Sequence, residues 1–159
     1  MLHITVIAVG NLKESYLREA CAEYEKRLGA FCRLETVQIR ETILPENPSA
    51  AEIAAALERE GTKILEAIPP RAYRAALCVE GKQLSSEALA AKLEEIGNTN
   101  GALALVIGSS HGLSPKVKEA CDLRLSVSRL TFPHQLMRVI LLETVYRSLS
   151  ILRGTKYHK

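Results

Sequence analysis

Residues 102–112 read ALALVIGSSHG. The six residues Ala102 to Ile107 are apolar without a break and end at Gly108. An unbroken apolar run of this length marks a strand covered on both faces, as inner strands of parallel sheets are. The residues after it, Ser109-Ser110-His111-Gly112, form a turn, and Ser114-Pro115 then starts a helix, with Ser as cap and Pro in the first turn.

Outward from this stretch the same alternation recurs. Upstream, Ala75 to Val79 is a short apolar strand ending at Gly81, and Ser85 caps a helix running to about Ile96. Further back, Leu2 to Val9 is a β-branched, apolar strand closed by Gly10, and Ser15 to Leu28 is an amphipathic helix with Glu19, Glu23, Lys26 and Arg27 on its wet side. Cys32 to Ile39 is a second strand. Arg40 to Ser49, with Pro45 and Pro48, is a connecting loop. Ala50 to Ile68 is helical until Pro69-Pro70 stops it. Downstream, Leu123 to Val127 is a short strand. Strands alternating with helices predict an α/β protein with a largely parallel sheet of about five strands.

The last quarter, Leu123 to Lys159, carries seven Lys/Arg (Arg124, Arg129, Arg138, Arg147, Arg153, Lys156, Lys159) against one acid, Glu143. Its net charge is +6, while the whole chain carries +3 and residues 1–122 therefore carry −3. Such asymmetry points to a polyanionic partner. These charges are mounted on a helix: Thr131 is its expected cap, Pro133 lies in its first turn, and Gly154 ends it. Leu136, Met137, Val139, Ile140, Leu141, Leu142, Val145, Leu149 and Leu152 cover more than a single-sided stripe, so two faces must be buried. One is expected against the sheet. The other is expected against a second subunit, through some of Met137, Ile140, Leu141 and Leu149. Glu143 and Arg147 are spaced for an i, i+4 pair, which reads as a solvated salt bridge.

Length and composition exclude several classes. At 159 residues and 47% hydrophobic content, one domain spanning 1–159 is expected. The cysteines at 21, 32, 78 and 121 have no CxxC spacing, and the histidines at 3, 111, 134 and 158 have no ligand spacing, so no metal site is expected. Free thiols fit a reducing cytoplasm. No apolar run approaches the roughly 18 residues of a membrane span. Neither GxGxxG nor GxxxxGK[ST] occurs, and Gly108-Ser109-Ser110 is not a GxSxG elbow.

Three strand ends carry unusual turn chemistry: Leu77 to Gly81, Gly108 to Gly112, and Ser126 to Phe132. Ligands in open α/β sheets bind beyond such carboxyl ends. Together with Leu105-Val-Ile-Gly-Ser-Ser-His-Gly112, the run Leu125-Ser-Val-Ser-Arg-Leu-Thr-Phe-Pro-His-Gln-Leu-Met-Arg138, then Tyr146-Arg147 and the terminal Tyr157-His158-Lys159, resembles the RlmH family of ribosomal RNA methyltransferases, of the SPOUT class. The resemblance covers the whole chain. It implies a parallel-sheet SPOUT fold with a C-terminal trefoil knot, a homodimer, and transfer of a methyl group from S-adenosylmethionine to N3 of a pseudouridine in 23S rRNA on the assembled ribosome.

Carried onto this sequence, the resemblance implies cofactor contacts at Leu77, Gly108, Val127, Ser128, Arg129, Leu130, Thr131 and Phe132. His158, Tyr157 and Arg138 are the catalytic candidates, with His158 as proton acceptor and Tyr157 stacking on an exposed base. Arg129, Arg138, Arg153, Lys156 and Lys159 are candidates for phosphate contacts. The family pattern reads IGG where this chain has Ile107-Gly108-Ser109, and Glu143-Thr144 stands for a more usual Glu-Gln pair. The added β-carbon at Ser109 is the one feature favouring a different class, a non-catalytic ribosome-binding factor with a retained nucleotide-like pocket.

Overall fold

A computed structural model describes all 159 residues, Met1–Lys159. Five parallel strands, β1 (His3–Val9), β2 (Arg33–Ile39), β3 (Tyr73–Gln83), β4 (Ala102–Ile107) and β5 (Leu123–Ser126), form one sheet in the order β2-β1-β4-β3-β5. Five helices connect or follow them: α1 (Ser15–Leu28), α2 (Ala50–Ala67), α3 (Ser86–Thr99), α4 (Pro115–Ala120) and α5 (His134–Leu152).

The unbroken apolar run of β4 is explained by its place inside the sheet. Leu103, Leu105 and Ile107 point to one face, where they join Ile4, Val6 and Ala8 of β1 and the buried residues of α1, α3 and α5. Ala104 and Val106 point to the other, with Ile7, Val9, Ile64 of α2 and Val117 of α4. Two-residue alternation of side chains thus feeds two cores. The outer strand β2 is largely exposed and carries Arg33 and Glu35, charges that discourage pairing with another chain's edge.

Capping follows the sequence closely in three helices. Ser49 forms a reciprocal capping box with Glu52, Ser85 accepts from the Ala88 N–H at 3.0 Å, and Ser114 accepts from the Val117 N–H. Helix α5 differs. Thr131 does not cap it: the helix begins at His134 with Pro133 as the flanking residue and no side-chain cap. Residues 127–133 instead form an irregular segment, bent at Val127, Arg129 and Leu130, that crosses the carboxyl end of the sheet, because α5 must start well away from β5 to reach its packing position.

That position lies between α1 and α3 on one face of the sheet. Leu141, Leu142, Val145 and Leu149 are all buried in the larger core. Leu141 and Leu149 therefore belong to this chain's own interior, where a subunit interface had been anticipated. Leu136 and Leu152, 36% and 37% exposed, remain outside.

Strand β3 also departs from expectation. It does not end before Gly81 but runs to Gln83. Leu77 and Lys82 both pair with Leu125, so residues 78–81 loop out between two pairings on one partner residue. A Cβ on Gly81 would lie 2.7 Å from the carbonyl carbon and oxygen of Arg124, and only glycine lets the strands approach so closely. Gly97, in the last turn of α3, has nothing within 4 Å of where a Cβ would stand. Gly97→Ala should therefore raise stability by up to about 1 kcal/mol through helix propensity, whereas Gly81→Ala should lower it by about 1–3 kcal/mol through strand separation. Paired thermal melts check both signs.

Candidate active site

The carboxyl ends of β3, β4 and β5 enclose a cleft of about 350 Å³. The 78–81 excursion forms one wall, the Gly108–Leu113 turn a second, and the irregular Ser126–Phe132 segment a third. His134 and Met137 at the start of α5 close the side. The three turns singled out in the sequence are thus brought together.

Leu77, Gly108, Val127, Ser128, Leu130, Thr131 and Phe132 all line this cleft, and Arg129 between them is exposed to solvent outside it. The third wall is held by short hydrogen bonds. Ser126 Oγ donates to the Ser128 carbonyl at 2.9 Å, and the Leu130 N–H donates to Ser128 Oγ at 3.0 Å. These bonds leave Leu130 71% exposed, an unusual setting for leucine on a chain with so few exposed apolar residues.

The glycine turn is a self-contained structure. Gly112 has φ +87 and its N–H donates to the Ser109 carbonyl at 2.9 Å. A Cβ on Gly108 would collide with the Gly112 carbonyl, so Gly108 is required by the turn itself, before any ligand is considered. Ser109 fits: it is buried, and its hydroxyl accepts the His111 N–H at 3.2 Å. The extra β-carbon at position 109 is absorbed by the loop and supplies one of its bonds.

Electrostatically the cleft is sparse. Glu80 and Lys118 are its only acidic and basic side chains apart from His111 and His134; they are joined at 2.6 Å, and this bond from Lys118 holds the Glu80 carboxyl below its usual range. Cys78 lines the excursion with its thiol pushed up by burial. Neither Glu80 nor Lys118 was singled out by the sequence. A charged residue directly before the strand-end glycine, Glu80-Gly81, was the available signal. No group of three or more His, Cys, Asp or Glu side chains is placed to hold a metal ion, and no helix is long and apolar enough to cross a membrane.

The three catalytic candidates lie outside this cleft in the same chain. Arg138 is 6% exposed, and its guanidinium donates to the Gly10 carbonyl at 3.3 Å. Burial lowers its pKa, an effect that the Glu25 carboxylate, not in a salt bridge with it, only partly offsets. This arginine, a candidate phosphate contact on sequence grounds, is a core group. Tyr157 and His158 fold back on α5. Tyr157 donates to Glu143 Oε1 at 3.1 Å, its ring meets Tyr146 edge-on at 4.7 Å, and the Arg147 guanidinium lies over it at 4.8 Å. His158 Nδ1 is 3.3 Å from an Arg147 nitrogen and Nε2 is 2.9 Å from Glu87 Oε1 of α3. The anticipated Glu143–Arg147 pair therefore exists, but it is the anchor of the C-terminal tail and not an isolated solvated bridge.

Residues 2–158 match the family model described as "Predicted SPOUT methyltransferase". Two relatives named "Ribosomal RNA large subunit methyltransferase H" align over nearly the whole chain. One, from Bifidobacterium adolescentis, is 46% identical over 99% of this chain and 100% of its own length. The other, from Pelotomaculum thermopropionicum, is 47% identical over 99% of both. A crystal structure of a probable methyltransferase from Bordetella pertussis superposes with a TM-score of 0.61, covering 93% of this chain and 96% of that one, at 16% identity, a likeness of fold. With the family model and both relatives matched over nearly the whole chain, the chain belongs to the SPOUT methyltransferase family.

Proposed function

We propose that this protein is a methyltransferase that uses S-adenosylmethionine to methylate N3 of a pseudouridine in 23S rRNA, acting as a homodimer on the assembled ribosome. The observation that carries the reading is the convergence of Leu77, Gly108 and the 127–132 segment on one cleft. Its substrate class rests on the names of the relatives and on the +6 charge of residues 123–159. Residues 1–159 act as one domain, and the crossing of residues 127–133 over the sheet ends, which carries the chain back from β5 to α5, is what supports a trefoil knot there.

The residues fit such a donor. Leu77, Leu130 and Phe132 offer apolar surface to a planar base, and the turn backbones offer N–H and C=O groups to its edge. S-adenosylmethionine supplies a methyl group on a sulfonium, already activated. What remains for the chain is to align the acceptor nitrogen and to remove its imide proton. Arg129, Arg153, Lys156 and Lys159 are all exposed and can meet phosphates, Arg153 from a position over the Phe31 ring. Because its own tail docks outside its own cleft, the tail of one subunit serves the cleft of the other, with His158 taking the proton. Both ring nitrogens of His158 are engaged by Arg147 and Glu87, so the tail must lift from α3 to expose one of them.

The reaction is tested with labelled S-adenosylmethionine, comparing ribosomes with free rRNA: label should enter the rRNA of ribosomes and be sparse on free rRNA, and no transfer to either would refute the reading. The non-catalytic alternative rested on Ser109, which the turn accommodates, and no other observation favours it.

Gly108 is a poor probe of the donor, since its replacement breaks the turn regardless. Leu130→Ala is a better one. Leu130 is mostly exposed in the free chain, so its truncation should leave the melting temperature unchanged, while donor affinity falls about tenfold from lost apolar contact. Calorimetry with S-adenosylhomocysteine reads the affinity, and an unchanged value would remove Leu130 from the site. Deleting Tyr157 to Lys159 separates the remaining steps. Affinity for S-adenosylhomocysteine should persist while methyl transfer to ribosomes is lost, and full transfer by the truncated chain would remove the terminus from catalysis.

A further inference from the structure

The cleft contains one feature that an apolar base-binding site does not need. Strand β3 interrupts its pairing with β5 to extrude residues 78–81, and Gly81 is jammed against the Arg124 backbone to permit it. The excursion leaves Val79 47% exposed and holds Glu80 at the cleft wall. From the opposite side, α4 brings Lys118, 38 residues away in sequence, to 2.6 Å from Glu80 Oε1.

Stability is a weak explanation for this arrangement. The two side chains are 26% and 57% exposed, and exposed pairs contribute little to folding. Lys116, two residues earlier, already ties α4 to Glu58 of α2 at 3.1 Å. The remaining lining is apolar, hydroxyl, thiol, imidazole and glycine, so the cleft's one carboxylate and one ammonium stand together.

We propose that Glu80 and Lys118 together seat the zwitterionic α-amino acid end of the methyl donor, the ammonium on the Glu80 carboxylate and the carboxylate on the Lys118 ammonium. The inference rests on the donor assignment made above. Such an end carries one charge of each sign on a single carbon, which is the complement of a fixed carboxylate–ammonium pair. The pair need not separate: Glu80 uses only Oε1 in its contact, and Lys118 retains further N–H donors. The hydrogen bond from Lys118 lowers the pKa of the Glu80 carboxyl, which favours its charged form. The role is specificity: a nucleoside without the amino acid end fills the apolar part of the cleft and misses this contact.

The test compares two ligands that differ in that end alone. Calorimetry is run with S-adenosylhomocysteine and with 5′-methylthioadenosine on the full-length wild type, Glu80→Gln and Lys118→Met. Wild type should prefer S-adenosylhomocysteine. Each variant should lose about tenfold in affinity for it, the scale of one charge-assisted contact, while 5′-methylthioadenosine binds as before and so reports an intact cleft. If the variants keep the preference, or weaken both ligands equally, the pair does not recognise the amino acid end and the proposal is overturned. If wild type binds neither ligand, the donor assignment itself fails and the proposal falls with it.

Discussion

The burial of α5 is the constraint on which the rest of this structure depends. Leu141, Leu142, Val145 and Leu149 complete the larger core between α1 and α3, so the last helix cannot be peeled from the domain without opening it. Burying side chains of this size contributes on the order of 2 kcal/mol each. Yet α5 follows β5, which lies at the far edge of the sheet beside β3. The chain must therefore return across the carboxyl ends of β3 and β4, and it does so as the irregular segment 127–133. The third wall of the cleft is a consequence of this packing requirement.

The same requirement decides where a ligand can sit. In this strand order the connections change direction between β1 and β4, where open α/β sheets ordinarily bind ligands. Here that crevice is filled. Arg138 reaches from α5 to the Gly10 carbonyl, Gln135 accepts the Lys13 N–H at 3.0 Å, and a Cβ on Gly10, which has φ +89, would stand 3.2 Å from Glu41 and 3.7 Å from His134. The available cavity is displaced to the β3–β4–β5 side, where returning chain, glycine turn and strand excursion meet. The tail is governed by the same helix, because Glu143 and Arg147 on its outer strip dock Tyr157 and His158 away from that cavity.

Most of the fold was legible because it is written in local patterns. The apolar run of β4, the strand–glycine–helix alternation and the serine caps each act over a few residues, and α1 begins and ends where its pattern does. What escaped depends on the return of the chain. Thr131 has the chemistry of a cap, but the packing of α5 against α1 and α3 starts the helix only at His134 and leaves residues 127–133 to the crossing. Gly81 reads as a strand end, but its missing Cβ serves a close approach to β5. Leu141 and Leu149 read as an interface because the helix is apolar on more than one side, and two neighbouring helices rather than a second subunit cover them. Within the candidate site, Leu77, Gly108 and the 127–132 segment were named by family resemblance and line one cleft, whereas Glu80 and Lys118 meet only in three dimensions across 38 residues.

The central claim is that the cleft formed by the returning segment, and not the filled crevice between β1 and β4, receives the methyl donor. Amide hydrogen exchange with and without S-adenosylhomocysteine addresses it most directly, since all three walls are backbone segments whose opening the ligand would suppress. The account predicts new protection in residues 77–81, 108–113 and 126–132 and none in residues 9–13 or 39–42. Protection confined to residues 9–13 and 39–42, with the three walls exchanging as before, would contradict it.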